Sequence, residues 1–294
     1  GTFSGTATTG NITDSGALTI TGAAIFKTGA DGSNIVLDSS SNAFSAAVTM
    51  IADAGGEDFG NITFVDSAAI DFATSASSNG DLYINSSTDG TVGGNLSVTA
   101  TTGNITDTVA LAVTGTTTLV TSADNGTIVL DVTTNAFTGA LTITTNDSSG
   151  TDADVTIDGG TTALIIAAST IDGDLTLTSG NASGITDSGT VTVGGNLSAT
   201  TDANAGVINL GTMAVDGTIA LTTNSTGAAT IVNDAALTFA ASTVGGALTA
   251  TATTGNITDS GALAITGTTT LVTSADDATI VLDVTTNAFT GALT

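Results

Sequence analysis

Hydrophobic and polar residues alternate along most of this chain, in stretches too short for any element but a strand. "ALTITG", "NLSVTA", "DLTLTS", "TVTVGG" and "DLYINS" each place two or three apolar side chains on one face and Thr, Ser or Asn on the other. Gly, Asn, Asp or Ser bounds every one of them. Helix is disfavoured, because β-branched Thr and Val are stiff at the first side-chain torsion and Gly is frequent. The pattern therefore predicts an all-β chain of short strands.

Equivalent apolar positions recur every 22 or 23 residues. Leu96, Leu119 and Leu141 form one such series, and Leu248, Leu271 and Leu293 another. Leu175, Leu197 and Ile219 form a third, Phe3, Ile25 and Val48 a fourth, and Ile257 and Ile280 also fall in phase. A coil of this length with about three short strands is one turn of a parallel β-helix, or β-solenoid. Four intervals depart from the rhythm. Val48 to Leu82 and Leu141 to Leu175 span 34 residues, Ile219 to Leu248 spans 29, and Leu82 to Leu96 only 14.

Above this period lies a longer one. Residues 99–142 recur as residues 251–294 with five differences, at 108/260, 109/261, 113/265, 125/277 and 126/278. A diluted copy starts at Thr6, in "TATTGNITDSGALTITG" followed by "NIVLDSSSNAF". Duplication of multi-coil blocks accounts for this, since a coil touches only its neighbours and can be copied without redesigning a core. Residues 1–294 are expected to form one elongated solenoid with blocks at about 3–95, 96–247 and 248–294, a segment of a longer protein. About a dozen coils stacked about 4.8 Å apart would span on the order of 60 Å. Phe44, Phe137 and Phe289 share one repeat position, in "NAF", and are read as an internal stack.

Composition narrows the function classes. The chain has 27 acidic residues against one basic residue, Lys27, for a net charge of −26, and it lacks His, Cys, Pro and Trp. Nothing in it could neutralise phosphates, so nucleic acid is excluded as an expected partner. Anionic membrane surfaces are disfavoured for the same reason, and no apolar run is long enough to insert into a bilayer. With 40% apolar residues the chain is not an acidic disordered tail. General-base and Ser-His chemistry lack their usual players without His, so no enzyme activity and no catalytic residue are expected.

The gly-Asn turns and Thr-rich strands of "GNITDSGALTITG" resemble the filamentous-haemagglutinin-like and autotransporter-type surface proteins of bacteria. That resemblance implies a right-handed β-helix, secreted to the extracellular space or cell surface, with a structural role as the shaft or wall of a filament, sheath, surface layer or adhesin. The implied partners are a further copy end to end, the continuation of a longer chain, or a cell-surface glycan. No cofactor is required by this reading.

The acidic residues are the candidate chemistry. Asp14, Asp107, Asp187 and Asp259 follow "IT" at one repeat position, and Asp38, Asp131 and Asp283 follow "IVL" at another. Two readings are open: hydrogen-bonding turn residues, or calcium ligands between stacked turns, giving a calcium-stabilised adhesin or glycan-binding segment. The nonapeptide GGxGxDxUx of calcium-binding β-rolls is missing. Asn11, Asn104 and Asn256 are expected to form a ladder from coil to coil. They also stand in Asn-x-Thr sequons, as do Asn61 and Asn125. Recurrent Thr-x-Thr, as at 19–21, 142–144 and 176–178, raises an ice-binding face as a minor alternative to the ordinary solvent side of strands.

Overall fold

A computed structural model describes residues 1–52, 60–73, 81–85, 91–148 and 152–294. Among them every strand is paired in parallel with the strand one coil away, and there is no helix. The chain is a β-solenoid with coils of about 22 residues. It divides into two compact units, residues 1–148 and 149–294.

In the first unit one stack runs through Phe3–Ala7, Ala24–Thr28, Val48–Ala52 and Asp81–Asn85, with Phe3, Ala24, Val48 and Leu82 in register. A second runs through Ile12, Ile35, Ile62, Leu96, Thr117 and Leu141. A third carries Ile70, Ile105 and Ile128, and shorter stacks join Thr19–Ile20 to Ala43–Phe44 and Thr91–Val92 to Ala112–Val113 and Ala136–Phe137. Alternation decides which side chains fill the interior: in Leu96–Ala100 and Val48–Ala52 the first, third and fifth residues are buried. An aromatic column lines part of this core, with ring centroids 5.2 Å apart for Phe3–Phe26, 6.1 Å for Phe26–Phe44 and 5.2 Å for Phe44–Phe64. Such offset and edge contacts are the favoured aromatic geometries.

In the second unit, Val155, Leu175, Leu197, Ile219 and Phe239 stack in register. A second stack carries Leu164, Ile185, Ile208, Ala229, Leu248 and Thr269. The eight-residue strand Ile208–Val215 spans two shorter strands of the coil before it, Ile185–Asp187 and Val191–Val193, and its register with Ala229–Asn233 of the coil after it shifts between Leu210 and Met213.

Some of the sequence series are confirmed in register and others are corrected. Leu175–Leu197–Ile219, Ile257–Ile280 and the 34-residue step from Val48 to Leu82 are observed pairs. The series Phe3–Ile25–Val48 is not: Ala24 stands between Phe3 and Val48, and Ile25 points outward, 43% exposed. Likewise Leu119 pairs with Val98 and Ile143, while Thr117 stands between Leu96 and Leu141. Leu271 pairs with Ala250, and Thr269 stands between Leu248 and Leu293. Spacing by the largest apolar residue slipped two places where a buried Thr holds the registered position, at Thr117 and Thr269, and one place where Ala24 holds it. Ile219 and Leu248 belong to different sides, over Phe239 and Ala229 respectively, which removes the 29-residue anomaly. Leu82 and Leu96 are likewise on different sides, over Val48 and Ile62.

The 34-residue step has a geometric consequence. Between Ile62 and its partner Leu96 the described residues hold four strands, Ile62–Asp66, Ile70–Phe72, Asp81–Asn85 and Thr91–Val92, where Ile12 to Ile35 holds three. Every later strand of the unit is therefore displaced by one side. Phe3–Ala7 and its sequence equivalent Leu96–Ala100 lie in different stacks, so the repeated block reappears rotated by one side of the coil.

Candidate functional site

The acidic repeat positions form a recurring corner. Asp14 closes the strand pair Ile12–Thr13 over Ile35–Leu37, and its half-buried carboxylate reaches the next coil. Its Oδ1 accepts the Asp38 N–H at 3.3 Å, and its Oδ2 accepts the Ser39 N–H at 3.3 Å and Asn42 Nδ2–H at 2.7 Å. Asn42, fully buried, turns its own Oδ1 back to the Leu18 N–H at 2.8 Å. The same clamp recurs at Asp107, which accepts from Asp131 N (3.1 Å) and Asn135 Nδ2 (2.7 Å), while Asn135 Oδ1 accepts from Leu111 N (2.7 Å). It recurs again at Asp259, with Asp283 N at 3.0 Å, Asn287 Nδ2 at 2.5 Å and Leu263 N on Asn287 Oδ1 at 2.8 Å. In each copy one carboxylate and one carboxamide tie a turn to the coil above it, with every bond a charge-assisted or amide pair.

Asp187 keeps half of this design. Its oxygens accept Gly211 N at 2.9 Å, Thr212 N at 2.5 Å and Thr212 Oγ1 at 2.6 Å, but the residue 28 positions on is Val215. The Val215 N–H is instead satisfied by Asn233 Oδ1 at 2.8 Å. Asp38, Asp131 and Asp283 take part through their backbone N–H groups, and their side chains are exposed.

The family described as repeats of unknown function (DUF5649) matches residues 1–51, 59–144 and 226–294, well over half of the chain. The chain belongs to this family. No curated protein matches it, and no solved structure matches it. Each of the three DUF5649 segments contains one whole clamp, Asp14 with Asn42, Asp107 with Asn135 and Asp259 with Asn287. The incomplete corner at Asp187 lies between the matched segments.

Around the DUF5649 corners an asparagine ladder with backbone donors starts at Asn11, but its further members are Asn34, Asn61 and Asn95 rather than the expected Asn104 and Asn256. Asn11 Oδ1 accepts from Asn34 N (2.9 Å), Asn34 from Asn61 N (2.7 Å), Asn61 from Asn95 N (2.7 Å) and Asn95 from Thr116 N (2.8 Å). Asn104 and Asn256 make the same bond to Thr127 N (3.0 Å) and Thr279 N (2.8 Å). Of the "NAF" phenylalanines Phe44 and Phe137 are buried and Phe289 is half-buried, and the three have different surroundings. Phe44 is in the aromatic column, whereas Phe137 pairs with Val113 and Phe289 with Ile265. Outward threonines line up only in part: Thr178, Thr200, Thr222 and Thr243 are in register, while the adjacent row runs Thr176, Ser198, Ala220.

The acidic positions do not gather into a cation cage. Among the described residues no three carboxylates come together, and the clamp oxygens already face N–H donors. Two carboxylates are strongly shielded. Asp66, 3% exposed, accepts the Phe44 N–H at 3.0 Å, and burial pushes its carboxyl above the usual range against the hydrogen bonds it receives. Burial also raises Asp107, opposed by its bonds from Asn135 and Asp131. Sequence reasoning missed Asn42, Asn135 and Asn287, the other half of each clamp. The signal was there, in the constant 28-residue spacing from "ITD" to "NAF" in all three copies.

Proposed function

We propose that this chain is a structural, non-catalytic scaffold, part of the shaft or wall of an extracellular filament, sheath, surface layer or adhesin. The observation that carries the reading is the threefold Asp–Asn clamp: the repeated acidic side chains, the chemistry a ligand site would need, accept hydrogen bonds that fasten coil to coil. The asparagine ladder adds the same kind of bond along the corners. A repeat protein that copies its own interlocks gains length rather than a pocket. The likeness of its turns to secreted β-helix proteins supports an extracellular location.

Two measurements test this. Protease shaving and immunogold labelling of intact producing cells should find the protein outside, and label confined to the interior overturns the location. Negative-stain electron microscopy of the native material, with and without a calcium chelator, should show rods or fibres that survive chelation. Fibres that dissolve on chelation would make the repeated aspartates metal ligands, and compact particles without rods would overturn the scaffold role.

A further inference from the structure

Two of the five differences between the near-identical blocks fall side by side in one turn and change its chemistry. The first has Asn125-Gly126 where the second has Asp277-Ala278. Both turns close with an i to i+3 hydrogen bond, Gly126 N–H to Ala123 O at 3.1 Å and Ala278 N–H to Ala275 O at 3.4 Å. Both place the first residue of the pair in the left-handed region, φ 59° at Asn125 and 60° at Asp277. Asn and Asp tolerate that conformation better than other side chains. The backbone therefore accommodates either an amide or a carboxylate at this corner.

Asn125 differs from the ladder asparagines in what holds it. Asn11, Asn34, Asn61 and Asn95 each have Oδ1 fixed by an N–H of the next coil. Asn125 is exposed, and its side-chain amide has no hydrogen bond among the described residues. The residue after it, Gly126, is buried, but it has no Cβ to stand between its nitrogen and the Asn125 amide. We propose that Asn125 is a modification site, converted spontaneously to aspartate and isoaspartate through a cyclic imide. The Gly126 nitrogen loses its proton to solvent base and bonds to Asn125 Cγ. The Cγ–Nδ2 bond breaks and ammonia leaves. Water then adds to either imide carbonyl, reopening the ring as aspartate or as isoaspartate with one extra backbone atom. No oxidant or enzyme is needed. The only turn bond that must open is the one from Gly126 N–H to Ala123 O. The aspartate product reproduces the Asp277 corner. The isoaspartate product displaces Gly126 O, which accepts the buried Thr121 hydroxyl at 3.1 Å.

The test is incubation of the full folded chain in mildly alkaline buffer, followed by peptide mapping with isoaspartate detection and isoelectric focusing. A synthetic peptide spanning residues 121–130 runs alongside until it is fully converted. The expected result is loss of the amide at Asn125 with a gain of one negative charge, ahead of Asn11, Asn34, Asn61 and Asn95. Asn79-Gly80, a second Asn-Gly pair in the sequence, lies outside the described residues, so peptide mapping assigns each conversion to its site. Asn125→Asp should abolish the part of the charge shift that maps to residue 125, and Gly126→Ala, the residue of the second block, should slow that part severalfold. If Asn125 keeps its amide while the peptide converts, the folded turn blocks the attack and the proposal fails. It fails equally if the ladder asparagines convert as fast.

Discussion

At the scale of single residues, the interior contains two kinds of polar group, and they should respond oppositely to removal. Thr117 and Thr269 are buried between large apolar neighbours, and the hydroxyl of each has no hydrogen-bond partner among the described residues. Valine has the same shape and β-branching without the stranded hydroxyl. Thr117→Val is expected to stabilise the protein by about 1 kcal/mol, since an unsatisfied buried polar group costs about that or more. A thermal melt checks it, and a lower midpoint would mean the hydroxyl has a partner. Asn135 is the opposite case. It is 1% exposed and serves both the Asp107 carboxylate and the Leu111 N–H. Asn135→Ala strands both, and should cost about 2–3 kcal/mol. The ladder bond from Thr127 N–H to Asn104 is exposed, so Asn104→Ala should cost less than about 1 kcal/mol. Equal losses in the two variants would show that the clamp is no stronger than the ladder.

At the scale of elements, corners constrain the chain more tightly than strands do. Gly217 donates its N–H to Gly195 O at 3.0 Å, and a Cβ there would lie 2.4 Å from that oxygen and 2.7 Å from Asn196 Oδ1. Gly217→Ala must push two coils apart and is expected to destabilise by about 1–3 kcal/mol, the usual range for overpacking. Gly211 is the control: a Cβ there meets nothing nearer than Asp187 Oδ1 at 3.9 Å, so Gly211→Ala should melt close to the parent. These corners explain what was legible in advance. Strand type, parallel stacking and coil length follow from alternation and turn residues, because a period of two and a bounded run leave few alternatives. Register was less legible. Thr117 and Ala24 occupy interior positions that a search for large apolar residues passes over, so the spacing alone points to Leu119 and Ile25 instead. The extra strand between Ile62 and Leu96 was visible only as an odd interval, since nothing local tells a fourth side from a longer loop. The clamp was half legible for a similar reason: Asp14 and Asn42 are 28 residues apart and meet only when coils stack.

At the scale of the whole molecule, 27 acidic residues against one basic one set the response to pH and salt. Two contributions must be separated. Exposed carboxylates repel one another at neutral pH, and salt screens that repulsion within about 10 Å at 0.1 M. Asp66 and Asp107 are shielded by burial, which raises both above the ordinary carboxyl value of 3.8. A raised folded-state value means the native chain holds these protons more tightly than the unfolded chain. Their contribution to stability is complete below 3.8 and is lost as pH rises through the raised values. Asp124 has the opposite sign: hydrogen bonds from Ser148 lower it, so its contribution is present above 3.8 and declines only as pH falls below that. The melting midpoint should therefore climb as pH is lowered from 7 towards the ordinary carboxyl value of 3.8, since protonation of the two buried carboxylates precedes any loss at Asp124. Added salt at pH 7 should also raise it. A pH series repeated in high salt distinguishes the sources, because salt screens exposed charges far more than buried ones. A slope that persists in high salt belongs to Asp66 and Asp107. A midpoint that becomes independent of pH there would mean that burial of these two carboxylates costs the folded chain nothing, and that its acid response is surface repulsion alone.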